Sequence, residues 1–337
     1  MAIMRGLHKL ALTGERVLEW AWPTRVPERP VLEAYRGYGS PEGLVLRGRV
    51  LASLRRTTPD PAHSRWQNLR QMASLFLTTE VAGVRVVAPG SGHEALSDEE
   101  GYVTLMVPGS DAAGWQDVAV EIAGDPESRV QLRARVPGAA ARLGVISDID
   151  DTVMETGAYS LRRNLWTTFT GSALTRRIFP DAVALMTHLT GGERNPVYYV
   201  SSSPWNLHYF LARVFDRAGL AAGPMFLRDL GLSQDKFITG THGDHKGSAI
   251  DRILAATPDL PFALVGDTGQ HDAEVYLAAC RRHEGRIRAV ILREPRPGAD
   301  AKSCDAMAGI EALGVPVIHA PDFADVPDAL ARAGIET

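Results

Sequence analysis

Apolar positions along the chain follow two rhythms. From about Gly43 to Val136 they come as short alternating runs: Leu44-Val-Leu-Arg-Gly-Arg-Val-Leu, Val84-Arg-Val-Val, Tyr102-Val-Thr-Leu-Met-Val and Val118-Ala-Val-Glu-Ile. Val130-Gln-Leu-Arg-Ala-Arg-Val alternates most cleanly, which turns Val130, Leu132, Ala134 and Val136 inward and leaves Arg133 and Arg135 on a solvated face. Turns such as Pro89-Gly-Ser-Gly and Gly124-Asp-Pro separate the runs, and residues 41–137 are predicted to form a small antiparallel β-sandwich, a platform or interaction module. Pro137 to Arg142 reads as a linker. From Leu143 the rhythm changes, and unbroken apolar runs alternate with stretches of helical period. Strands are expected at Leu143–Ile146, Val197–Val200, Pro224–Leu227, Phe262–Val265, Ile287–Leu292 and Val315–Ile318. Helices are expected at Asp181–Leu189, Trp205–Ala218, Gly247–Ala255, Ala273–His283, Ala301–Leu313 and Val326–Ala333. That alternation predicts an α/β domain over 142–337, a Rossmann-like parallel sheet with helices on both faces.

Residues 1–40 fit neither rhythm. Ile3, Leu7, Leu10, Val17 and Leu18 give 1–22 one broad apolar side, and Trp20 and Trp22 precede a breaker from Pro23 to Pro30. Such a helix either packs on the rest of the protein or lies on a membrane surface. Gly14, Glu15 and Arg16 interrupt the run too early for a signal-peptide core, and no apolar run has the length of a membrane span. A net charge of −4 gives no reason to expect nucleic-acid binding. The two cysteines, Cys280 and Cys304, have no metal-ligand spacing and read as free thiols of a reducing compartment. The expected location is the cytoplasm, with contact at the inner membrane face left open.

The chemistry gathers where apolar strands end. Leu143-Gly-Val-Ile-Ser runs into Asp148, Asp150, Asp151 and Thr152. Residues two apart on an extended segment point the same way, so Asp148 and Asp150 reach one small volume at the carboxyl edge, where open α/β sheets bind ligands. Three acids in four residues repel one another and call for a cation, and Mg²⁺ suits hard oxygen ligands beside phosphates. Pro196-Val-Tyr-Tyr-Val-Ser201 ends in a hydroxyl, followed by Ser202, Ser203, Pro204 and a helix whose N–H groups suit a phosphoryl group. In Thr241-His-Gly-Asp-His-Lys246, the lysine opens a helix, where the dipole disfavours it unless an anion compensates. Lys236, ten residues earlier, lacks that helix start. Phe262-Ala-Leu-Val-Gly-Asp267 then gives a strand, a turn and a second acid at Asp272.

These four stretches, in this order, resemble the motifs of the haloacid-dehalogenase phosphatase superfamily. Asp148-Ile-Asp-Asp-Thr-Val, Ser201-Ser-Ser-Pro-Trp-Asn-Leu, His245-Lys246 and Val265-Gly-Asp-Thr-Gly-Gln-His-Asp-Ala-Glu-Val-Tyr resemble in particular the actin-patch-type phosphatidate phosphatase family, which has bacterial members. The similarity covers about residues 142–320. Asp151 departs from superfamily members that carry glycine there, but is usual in the lipid-phosphatase branch that the chain resembles. The resemblance implies a Mg²⁺-dependent phosphomonoesterase that works through an aspartyl-phosphate. Asp148 would be the nucleophile and Asp150 the general acid and base, with Ser201 and Lys246 on the phosphoryl oxygens and Thr152 bracing the loop. Asp148, the Asp150 carbonyl and Asp267 would hold the metal, with Asp272 behind them or among them. Residues 153–180 occupy the place of a small cap, in which Arg162, Arg163 and Trp166 either receive a substrate's anionic headgroup or belong to a helical hairpin with solvated arginines and inward aromatics; Ser202 is a further substrate-binding candidate. His242, His245 and His271 are assigned to loop structure or substrate contact. The expected substrate is phosphatidate or a related lipid phosphate. A soluble phosphomonoester, a phosphoprotein, or a phosphatidate sensor without turnover are the alternatives.

Overall fold

The computed structural model describes residues 29–53, 79–110, 112–155, 178–228, 242–294 and 298–337, with the backbone alone for 242–244. The expected helix at 1–22, most of the expected cap (156–177) and Lys236 lie outside these residues, and with them Arg162, Arg163, Trp166 and the His242 side chain.

The first sheet contains β1 (Val31–Ser40), β2 (Gly43–Leu51), β3 (Arg85–Ala88), β4 (His93–Leu96), β5 (Tyr102–Val107), β6 (Gly114–Ile122) and β7 (Asp125–Val136). Its order is β4-β3-β6-β7-β1-β2-β5, antiparallel except that β1 runs parallel to β7. The edge strands β4 and β5 also meet, so the sheet curls like a barrel. This is one mixed sheet where the sequence predicts a sandwich of two, and β1 is the reason. Without it the strands divide into β4-β3-β6-β7 and β2-β5; with it they are joined. The alternation of 31–40 is broken by a bulge between Tyr35 and Tyr38, which shifts the inward-facing set. Gly37 lies in that bulge, where an added Cβ would meet the Val45 carbonyl oxygen at 2.0 Å, so the close approach needs glycine.

Strand β7 keeps its predicted alternation, with Leu132 and Ala134 buried and Val130 and Val136 packed at the margin. Arg133 is exposed and pairs with Asp117 at 2.9 Å. Arg135 differs from expectation. It is buried and donates to the Glu193 carbonyl oxygen, because a loop of the second sheet covers that face.

The second sheet is parallel throughout. It contains β8 (Gly144–Asp148), β9 (Val197–Pro204), β10 (Met225–Arg228), β11 (Phe262–Asp267), β12 (Ile287–Arg293) and β13 (Val317–Ala320) in the order β10-β9-β8-β11-β12-β13. The helices are α1 (Pro180–Thr190), α2 (His208–Ala218), α3 (His242–Ala256), α4 (Asp272–Arg282), α5 (Ala301–Ala312) and α6 (Val326–Arg332). Strand alternation sorts them. Val145, Tyr199 and Val265 pack with α1, α2 and α6 on one face, whereas Ile146, Tyr198 and Leu264 pack with α3, α4 and α5 on the other. Central strands β8 and β11 are buried at every position, which explains their unbroken apolar runs. No helix among the described residues is long and apolar enough to cross a membrane.

The two sheets share side chains. Tyr35 of β1 stacks on Trp205 with ring centroids 4.7 Å apart, and His208 lies 4.3 Å from the Tyr35 ring. Burial, with Arg36 and Arg47 nearby, pushes the His208 imidazole down to about 3. The unfolded chain therefore takes up a proton near pH 6.5 that the folded chain refuses, so stability is full above that pH and falls as the pH drops below it. Urea unfolding at pH 7 and pH 5 should show the native chain losing about 2 kcal/mol more than His208→Gln across that interval.

Candidate active site

Adjacent strands β8 and β11 end in Asp148 and Asp267, which brings two carboxylates side by side at the carboxyl edge. Asp272 opens α4 just beyond the turn, and Lys246 reaches in from α3. All four side chains are buried. Lys246 Nζ lies 2.7 Å from Asp148 Oδ1 and 2.5 Å from Asp272 Oδ1. Asp272 Oδ2 accepts from the Asp267 amide at 3.3 Å, and Asp267 Oδ1 accepts from the Gly269 amide at 2.6 Å. Carboxylate oxygens of Asp148, Asp267 and Asp272 lie within 4.8 Å of one another.

Charge in this cage is out of balance. Burial raises the Asp148 carboxyl well above its ordinary range, with Asp272 and Asp150 adding to the effect and Lys246 opposing it. Burial likewise raises Asp267, helped by Asp272 and Asp148. Burial alone would lower the Lys246 ammonium, but Asp148, Asp272 and Asp267 outweigh it and raise its pKa. One ammonium thus serves three buried carboxylates. Asp267 Oδ2 is buried with no hydrogen-bond partner among the described residues, which is a costly state for an acceptor. A hard divalent cation accepted by these oxygens would fit both observations.

Asp150 is held separately. Its Oδ2 accepts from Ser201 Oγ at 2.7 Å and Ser203 Oγ at 3.0 Å, and Ser201 Oγ accepts from the Ser203 amide at 2.9 Å. Ser201, expected on the phosphoryl group, thus directs its proton to Asp150 here. Thr152 is buried, and its Oγ1 donates to Asp148 Oδ2 at 3.2 Å. Asp151 has φ 58°, a left-handed conformation that aspartate tolerates and glycine adopts freely. Ser202 is half-buried in β9. His271 pairs with Glu274 at 2.9 Å, and burial lowers the His245 imidazole.

Three residues escaped the sequence reading. Ser203 carried a usable signal, since it lies two residues beyond Ser201 on a strand and so faces the same way. Gln270 donates from Nε2 to the Asp150 carbonyl oxygen at 2.9 Å, and its place in an irregular loop gives no periodic clue. Arg293 ends β12, buried between Phe179 and Phe323. It donates to the Thr152 carbonyl oxygen at 3.1 Å and pairs with Asp181 at 2.8 Å, so it fixes the loop behind the acids. A charge closing an apolar parallel strand was its signal.

Gly266 closes the cage from below. A Cβ there would meet Asp272 Oδ2 at 2.6 Å and Tyr276 Oη at 2.8 Å. Gly266→Ala is expected to cost about 1–3 kcal/mol by forcing these groups apart, read as a lower urea midpoint.

Residues 143–294 match the family model described as "Phosphatidate phosphatase APP1, catalytic domain". Over 151 residues the chain is 28% identical to Phosphatidate phosphatase APP1 of Saccharomyces cerevisiae, covering 45% of this chain and 26% of that protein. Over 159 residues it is 30% identical to an uncharacterized protein of Schizosaccharomyces pombe, covering 45% of this chain and 25% of that one. The chain spans about a quarter of the length of these relatives. A solved structure of a Thermotoga maritima protein assigned as a beta-phosphoglucomutase aligns with a TM-score of 0.35 at 12% identity, over 56% of this chain and 99% of that one, a likeness too slight to bear on the fold. Through the segment that carries Asp148, Asp150, Ser201, Lys246 and Asp267, the chain is similar to the APP1 phosphatidate phosphatase catalytic-domain family.

Proposed function

We propose that this protein is a phosphatase that hydrolyses phosphatidate or a related lipid phosphate monoester, built on a haloacid-dehalogenase-like α/β domain. The observation that carries the reading is the buried cage of Asp148, Asp267 and Asp272 around Lys246, with Asp150 beside it under two serine hydroxyls. The similarity of residues 143–294 to a phosphatidate phosphatase catalytic domain supports the substrate class. A lipid phosphate would be met at a membrane surface, with the cytoplasmic face as the expected side.

Asp148 is the proposed nucleophile. Its carboxylate forms a bond to phosphorus as the ester P–O bond breaks, giving an aspartyl-phosphate. Asp150 protonates the departing alkoxide, then takes a proton from the water that hydrolyses the acyl phosphate. Both serine hydroxyls reach Asp150 Oδ2, which leaves Oδ1 for proton transfer. Lys246 supplies fixed positive charge where the phosphoryl oxygens gather negative charge. Thr152, through its hydrogen bond to Asp148 Oδ2, limits rotation of the nucleophile. Mg²⁺ would be held by Asp148, Asp267 and the Asp150 carbonyl, with Asp272 behind them. When bound, it would neutralise the cage and the substrate phosphate.

Phosphate release from dispersed phosphatidate and from para-nitrophenyl phosphate, each with and without Mg²⁺, tests this reading. The native chain should need Mg²⁺ and prefer the lipid. Asp148→Asn should abolish release, and Asp150→Asn should slow it by about 10²–10⁴. Release from the soluble ester alone would discard the lipid, and vesicle binding without release from either would assign the chain to a sensor role. The metal has its own readout. Mg²⁺ should raise the melting temperature of the native chain. Asp267→Asn, which relieves buried repulsion, should stabilise the metal-free protein by about 0.5–2 kcal/mol and lose the Mg²⁺ response.

A further inference from the structure

We infer that the first sheet is a working part of the catalytic centre, with Arg47 and Tyr35 as positioning residues that hold Trp205 and thereby the serine stretch that grips Asp150. The inference rests on the phosphatase reading above and adds a part of the chain to it that lies outside residues 143–294. Trp205 is buried and follows directly on β9, the strand that carries Ser201 and Ser203. Three strands of the first sheet converge on its indole. Arg47 of β2 places its guanidinium carbon 4.5 Å from the indole centroid and 5.2 Å from that of Phe226, and its Nη1 donates to the Met225 carbonyl oxygen at 3.3 Å. Tyr35 of β1 stacks on the indole at 4.7 Å and 18°, and Tyr102 of β5 lies 6.2 Å away. Burial lowers the Arg47 guanidinium to about 10, which leaves it charged at neutral pH and poorly hydrated, the condition in which a cation–π contact is strongest.

The path from this indole to Asp150 is short and stiff. Pro204, at φ −72°, is the only residue between Trp205 and Ser203, and its ring fixes one of the few rotations through which a displacement could be absorbed. Ser203 then meets Asp150 through Oγ and, through its amide, sets the Ser201 hydroxyl that meets the same carboxylate oxygen. The more exposed Arg36–Asp216 pair also joins the two parts of the chain, at 3.2 Å, and so offers a control at the same interface. An arginine stacked on the residue that follows the serine stretch of β9 fits positioning better than adhesion.

The test uses the full chain with Arg47→Met, Arg47→Lys and, as a control at the same interface, Arg36→Ala. Hydrogen exchange is followed in a peptide spanning residues 198–207, with a peptide from β11 as reference, and kcat and KM are measured with para-nitrophenyl phosphate and Mg²⁺. Arg47→Met should exchange faster in 198–207 but not in β11, and should lose at least about tenfold in kcat with KM unchanged, as a small misplacement of a catalytic group does. Arg47→Lys, which keeps the cation, should recover part of both, and Arg36→Ala should match the native chain. Native exchange and native kcat in Arg47→Met would overturn the inference, as would faster exchange with an unchanged kcat. An exchange increase spread equally through β11 would also overturn it, by reducing Arg47 to a general stabiliser. If Arg47→Met does not fold, Tyr35→Leu carries the same comparison. A native chain inactive on every ester would sink the phosphatase reading alone, and the exchange comparison would still decide whether Arg47 holds the serine stretch.

Discussion

The Lys246 ammonium lies between Asp148 and Asp272 at the carboxyl edge of the parallel sheet, and much of the molecule serves to keep it there. Burying one ion is costly, and burying a cluster of like-charged acids is costlier still unless an opposite charge is held close. Strands β8 and β11 must therefore end together, α3 must deliver Lys246 from one side, and α4 must begin with Asp272 at the right height. The apolar bodies of those strands and the helix packing on both faces supply the stability that the cage consumes. In this sense the core is built to carry a local electrostatic deficit.

The candidate site was largely readable because its residues occupy places that chain geometry defines. Asp148 and Asp267 end apolar strands, as their runs predict. Ser201 also follows an apolar run, but β9 continues past it to Pro204. Lys246, expected at the opening of a helix, lies one turn inside α3, which starts at His242. Contacts were another matter. A serine after an apolar run can donate to a phosphoryl oxygen or to a carboxylate, and the structure pairs Ser201 with Asp150. Gln270 and the cage geometry arise from loop paths, which have no period to read.

Alternation tells which side of a strand a residue takes, but not what later covers that side. Arg135 follows its period correctly and is nevertheless buried, because the Glu193 loop of the other sheet lies over it. The same limit hid the first sheet's topology. Strands β2, β3, β5, β6 and β7 were legible as runs, while β1 was masked by its bulge and by Glu, Arg and Gly within it. Missing one central strand was enough to turn a single curled sheet into an expected pair. The parallel sheet had no such weakness, since its strands and helices alternate in the chain.

The place of β1 also orders events during synthesis. It lies between β2 and β7, pairing Arg36 with Arg133 across most of the first domain's sequence. As the chain leaves the ribosome, β1 and β2 can form a hairpin early, but the other flank of β1 stays open until β7 has emerged. Such a long-range closure is slow compared with local hairpins, and the waiting edge is a surface on which a neighbouring chain can pair. Residue 143, where the similarity to the phosphatidate phosphatase catalytic-domain family begins, follows β7 by only a few positions. The sheet that meets Trp205 is thus complete just before the strands that need it are made, so N-to-C order of synthesis would deliver the support ahead of the site.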